Sequence, residues 1–159
     1  MAVAIHRMGS NDLRLFAVDS GTVIARGDML FLDTDDVKPA SSFTWDTNIA
    51  TTQTAFAVKF AGVAAEAHAA GVAGVISVDV SPLSVWEMDQ ASATAEVGGP
   101  LAPAKQSGNA LENQKLVAAA ASASIGRVHT RLASANTRVL ATLASAYAVS
   151  ANNDNGPVG

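Results

Sequence analysis

Short apolar runs separated by glycine, proline and small polar residues recur along the chain. Arg14-Leu-Phe-Ala-Val18 reads as a strand, Gly21-Thr-Val-Ile-Ala25 as a second, and Met29-Leu-Phe-Leu-Asp33 as a third. Arg26-Gly27-Asp28 supplies the turn between the last two, glycine between β-type runs being a hairpin signal. Thr34 to Thr52 is polar and reads as a long loop, with Asp46 or Thr47 capping a short helix over Thr51–Phe60. Ala61–Ala65 and Gly74–Val80 read as strands; the Ala-rich piece Glu66–Ala70 favours helix but is stopped by Gly71 and Gly74. Ser84-Val-Trp-Glu-Met-Asp89 alternates apolar and polar, the period of a half-buried strand.

Val97 to Pro103 reads as a turn-rich segment and Gln106–Ala110 as a turn. Gln114–Ala118, Ile125–Leu132 and Thr137–Leu143 follow as strands, with Ser134–Thr137 looping between the last two. In the middle one Ile125, Arg127, His129 and Arg131 share one face, and Gly126, Val128, Thr130 and Leu132 the other. Strands and turns at this spacing predict an all-β fold, or a β-rich one with one short helix, as a compact barrel- or sandwich-like single domain. Helix in Leu111–Ser124 and Leu140–Ser150 is the competing reading, opposed by β-branched residues and glycine nearby. Residues 1–9 are expected to be an N-terminal arm or first strand, 10–149 the β-rich body and 150–159 a flexible tail rich in Asn, Asp and Gly.

Composition refines this picture. The 159 residues suit one domain, and with 49% apolar and 15% charged residues the chain has no disordered, highly charged character. The apolar share is unusual in kind: 33 Ala and 17 Val against 5 Phe, 2 Trp and 1 Tyr. Small side chains bury little area each, so burial by association with other chains is expected to add to the core. Absence of cysteine excludes disulfides, thiolate metal sites and cysteine nucleophiles. Met1–Gly9 lacks the apolar stretch of a secretory signal, and Ala61–Val78, which is Ala/Gly-rich and holds Glu66 and His68, is not a membrane span. The net charge of −4 argues against nucleic acid as a partner. Residues 1–89 carry 11 acidic and 5 basic side chains, and residues 90–159 carry 3 and 5, a polarity that could draw subunits together.

Candidate chemistry is sparse. Asp33-Thr-Asp35 after an apolar strand matches the Asp-x-Asp of haloacid-dehalogenase-type phosphotransferases, but that family needs a later acidic pair, after Glu112 the only acid here is Asp154, and no βαβ pattern is visible. Arg26-Gly27-Asp28 spells a cell-adhesion tripeptide, yet its glycine already has a structural task as a turn. His6, His68 and His129 lie in separate segments without metal-ligand spacing. Neither a nucleophile elbow nor a phosphate-binding loop is present, so no enzyme activity and no cofactor is expected.

Gly27-Asp-Met-Leu-Phe-Leu-Asp-Thr-Asp-Asp-Val-Lys-Pro-Ala40, Ala55-Phe-Ala-Val-Lys-Phe-Ala-Gly-Val-Ala64, Ala95-Glu-Val-Gly-Gly-Pro-Leu101, Ser107-Gly-Asn-Ala-Leu-Glu-Asn-Gln-Lys-Leu-Val117 and Ile125-Gly-Arg-Val128 form an ordered series. Over most of Arg14–Ala144 this series resembles the capsid decoration, or cement, proteins of tailed bacteriophages. The resemblance implies a barrel-like, often trimeric protein on the outer surface of the phage head, made in the host cytoplasm. It implies a structural role, bridging neighbouring major capsid subunits against internal DNA pressure, with no catalytic residues. Capsid or partner contacts are expected in the arm at Met1, Ala2, Val3, Ile5 and His6, in the long loop at Trp45 and in the tail at Asn152 and Asn153. Alternatives are another virion part (tail tube, connector or fibre base) or a glycan- or receptor-binding head protein using Trp45.

Overall fold

The computed structural model describes residues 3–147. Two small five-stranded barrels and one short helix make a single β-rich domain, the class the sequence predicts. In the first barrel, β2 (Leu13–Val18), β3 (Met29–Asp33), β4 (Asp36–Pro39), β5 (Phe60–Ala64) and β6 (Gly74–Asp79) run in the order β2-β4-β3-β5-β6. Antiparallel pairing of β2 with β6, from Leu13↔Asp79 to Val18↔Gly74, closes the ring. In the second, β7 (Val85–Ala95), β11 (Leu132–Leu143), β10 (Gly126–Val128), β8 (Pro100–Lys105) and β9 (Leu111–Ala118) follow one another. A short parallel pairing, Asp89↔Lys115 and Gln90↔Leu116, closes it. β1 (Ile5–Met8) adds to the edge of β7.

Strand alternation explains how the barrels share a core. Leu30 of β3 points into the first barrel with Val18, Val37, Ala61, Ile76 and Val78. Its neighbours Met29 and Phe31 face the other way and join Phe60, Val63, Trp86, Met88, Leu116 and Val139 in the larger cluster. The helix α1 (Ile49–Lys59) covers this joint, with Phe56 fully buried between Phe31, Phe43 and Phe60. Gln53 of α1 donates to the Pro103 carbonyl at 2.8 Å, fixing the helix to the second barrel.

Several elements differ from expectation. Gly21–Ala25 is a turn with a single bridge, Ile24 to His68, and the hairpin instead joins β3 to β4 across Thr34-Asp35. The expected long loop therefore contains β4, whose backbone is held by β3 although Val37 is its only large apolar residue. α1 starts earlier, because Asn48 rather than Asp46 or Thr47 accepts the Thr51 N–H at 3.0 Å. Val97–Pro103 is not all turn: β8 begins at Pro100. Pro103 is tolerated because β10 pairs only Pro100 and Leu101, and its carbonyl is taken by Gln53 rather than by β9. The strand expected over Ile125–Leu132 is only Gly126–Val128; Ile125 is buried while Arg127 is exposed, so the expected common face does not form. Ser134–Thr137 lies inside β11, where irregular register opposite β7 absorbs its poor strand propensity.

Candidate functional site

The expected contact residues fall into three places. Met1, Ala2, Asn152 and Asn153 lie outside the described residues. Val3, Ile5 and His6 come together at β1. This strand pairs only with β7 among the described residues, through Ile5↔Glu87 and His6↔Trp86. Its alternation sends His6 inward, edge-on to the Trp86 ring at 5.6 Å between centroids, with its Nε2 buried and without a partner. Val3 is 57% exposed and Ile5 42%, with Met8 exposed beyond them. Trp45 is not a free platform: it is half-buried against the core and its ring lies under Lys105, 5.0 Å from Nζ. Among the described residues no hydrogen bond or ring contact links it to β1.

An ionic lattice stiffens the sheet beneath β1. Arg138 of β11 donates to Glu87 at 2.9 Å, to Asp89, and to the Val3 carbonyl at 2.9 Å. Arg7 donates to Glu87 at 2.7 Å. The Arg7 hydrogen bond, then that from Arg138, holds the Glu87 carboxyl below the usual glutamate range. Three strands are thus cross-linked by side chains whose partners sit on adjacent strands.

A second polar node joins the barrels. Gln114 of β9 accepts the Ala4 N–H at 2.7 Å and donates to Asp28 at 2.8 Å and to the Arg26 carbonyl at 3.1 Å. Asp28 also accepts the Ala25 N–H at 2.9 Å and is only 4% exposed. Within Arg26-Gly27-Asp28 the arginine is exposed, but Gly27 and Asp28 are buried, so the carboxylate is turned away from any receptor. Burial pushes the Asp28 carboxyl above the usual aspartate range, against the two donors. Stability tied to this group is present below the ordinary aspartate pKa and declines as pH rises through the raised value. Gln114→Leu removes one donor to Asp28 and strands the Ala4 N–H. It is expected to cost about 2 kcal/mol, with the loss growing as pH rises. Urea unfolding at about pH 3.5, below the ordinary aspartate pKa, and at about pH 8 checks this; a loss independent of pH would count against it.

The remaining motif residues make contacts within the fold. Asp33 pairs with Lys38 at 2.6 Å across the β3–β4 hairpin, and this contact keeps its carboxyl below the usual range. Thr34, with φ of 64°, forms the turn beside it. His68 lies 2.7 Å from the Thr22 carbonyl and 2.9 Å from that of Val72, stapling two loops. Among the described residues no three His, Asp or Glu side chains converge as a metal site.

Two apolar surfaces escaped the sequence reading. Leu13, Leu15 and Ala17 of β2 and Val75 of β6 share the outer face of the first barrel, and Leu15 is 70% exposed. An open groove of about 270 Å³ runs along the second barrel where β7 parts from β9, lined by Ala91, Ala93, Ala95, Leu116, Val117 and Val128. The only prior signal was that β2 is apolar at nearly every position, as a strand covered on both faces would be. No protein-family model, curated protein or solved structure matches the chain.

Proposed function

We propose that the chain is a structural virion protein without catalytic function. It binds the outer surface of a phage capsid and bridges neighbouring major capsid subunits, acting there as a homotrimer. The observation that carries this reading is β1: an edge strand with Val3, Ile5 and Met8 turned to solvent, held rigid by the Arg7, Glu87, Arg138 and Asp89 lattice. An exposed apolar edge strand invites pairing with another chain unless something covers it. A preformed edge also binds at a lower entropic cost than a loop. Modest contacts of this kind become firm attachment when several copies engage one shell. The ordered resemblance over Arg14–Ala144 to decoration proteins points the same way.

The test uses DNA-filled heads assembled without this chain, mixed with the purified protein and sedimented. Saturable binding, with a rise in the temperature at which the heads burst, is expected. Ile5→Asp is expected to weaken binding at least about tenfold, the effect of losing roughly 1.5–3 kcal/mol of aliphatic burial. Failure of the unaltered chain to sediment with heads would overturn the proposal. Long tubes of the purified chain would favour a tail-tube role instead.

A further inference from the structure

We infer that copies of this chain pack head to tail, the β2–β6 ridge of one seated in the β7–β9 groove of the next. The inference rests on the proposed self-assembly and needs no capsid.

Three observations converge. The first is shape. Leu13 and Leu15 project from a convex barrel wall with Val75 beside them. The groove is concave, lined by small and aliphatic residues among them Ala91, Ala93 and Leu116, and open at its mouth. At about 270 Å³ it is nearly twice the ~150 Å³ of a cavity that takes up benzene, so more than one aliphatic side chain fits. The second is the backbone. Beyond Gln90, β7 no longer pairs with β9, and Ala91 to Ala95 keep only β11 as a neighbour. A small-residue ribbon with one free edge lets a partner approach closely.

The third is charge. Residues 10–84, holding the first barrel, carry nine acidic and four basic side chains, a net of −5. Residues 85–147, holding the second, carry four acidic and five basic, a net of +1. Glu96 is the charged residue lining the groove, and Arg131 binds it at 2.9 Å. Ridge against ridge, or groove against groove, would bring like-charged barrels together. Ridge into groove brings the acidic barrel of one copy to the weakly basic barrel of the next. A contact between two different patches is heterologous, and repeated about an axis it closes a ring.

Light scattering on the full chain after size exclusion tests this with Leu15→Asp on the ridge and Ala93→Asp in the groove. Both positions are exposed, and far-UV circular dichroism checks the fold; Val75→Asp and Val117→Asp form a second pair. The unaltered chain is expected to exceed the monomer mass and each variant to be monomeric. An equimolar mixture of the two variants should give a one-to-one dimer and nothing larger, because one intact ridge and one intact groove remain. An unaltered chain that is monomeric at all concentrations would overturn the inference together with the proposed oligomer. Variants that remain oligomeric, or a mixture that remains monomeric, would overturn this interface while leaving the oligomer. Capsid binding through β1 is decided separately by sedimentation with heads.

Discussion

Gly62→Ala is expected to destabilise the protein by several kcal/mol, on the order of 3–5, among the largest effects a single methyl group can have. Gly62 has φ of 145°, and a Cβ there would stand 2.3 Å from the Asp79 carbonyl oxygen and 2.9 Å from Val78 Cγ1. The first of these is backbone of β6, which cannot swing aside. The site is also where β5 changes register against β3, from Leu30↔Gly62 to Phe31↔Phe60. In a regular strand, positions three apart lie on opposite faces. The irregularity lets Phe60 and Val63 both enter the large core while Ala61 and Ala64 both line the first barrel. Restoring regular pairing would therefore expel one residue of each pair. Gly71→Ala is the control, since φ there is 125° but a Cβ would meet nothing within 4 Å. Strain alone at Gly71 costs about 1 kcal/mol. Urea unfolding of both variants measures the difference; equal losses would show that β5 can relax around the added methyl.

The elements read correctly from sequence are those in which the strand's own residues carry the signal. Met29–Asp33, Gly74–Asp79 and the start of β7 combine apolar or alternating positions with β-branched or aromatic residues. Those misread are held by their neighbours. β4 is Asp-Val-Lys-Pro and exists because a two-residue turn lays it against β3. β11 runs through Ser134-Ala-Asn-Thr because the long partner β7 supplies its hydrogen bonds. β8 carries Pro103 in its middle, and only the end of β10 pairing at Leu101 shows why that is harmless.

The candidate surfaces follow the same rule. The exposed apolar pair Val3 and Ile5 could be singled out because apolar residues near Met1 are visible in a one-dimensional string. The groove could not, because its lining comes from β7, β8, β9 and β10 together. Nor could the burial of Asp28, since its partner Gln114 is 86 positions away. The scarcity of large side chains was legible as a hint of association; the ridge and groove give that hint two specific faces.

Trp86→Ala is expected to cost about 3–5 kcal/mol, as removal of a buried large aromatic does, and to lower cooperativity as well as stability. Trp86 is 2% exposed and touches three parts of the fold. It packs in the core of the second barrel, edges against His6 of β1, and donates from Nε1 to Asp79 at 3.1 Å. Asp79 ends β6 in the first barrel, and its other oxygen accepts the N–H groups of Asp12 and Ser81 at 3.3 and 3.1 Å. Truncation thus opens a cavity and leaves one oxygen of a buried carboxylate without its donor. Trp86→Phe separates the two effects, keeping an aromatic ring but losing the hydrogen bond. Its loss should be about 1–3 kcal/mol, the cost of an unsatisfied buried acceptor. In Trp86→Ala, amide hydrogen exchange should rise first across Ala4 to Met8, because β1 loses its inner packing while its pairing to β7 remains. Exchange that rises uniformly over both barrels would mean that β1 is bound by backbone pairing and the arginine lattice alone. The β1 edge would then owe its rigidity to Arg138 rather than to the core beneath it.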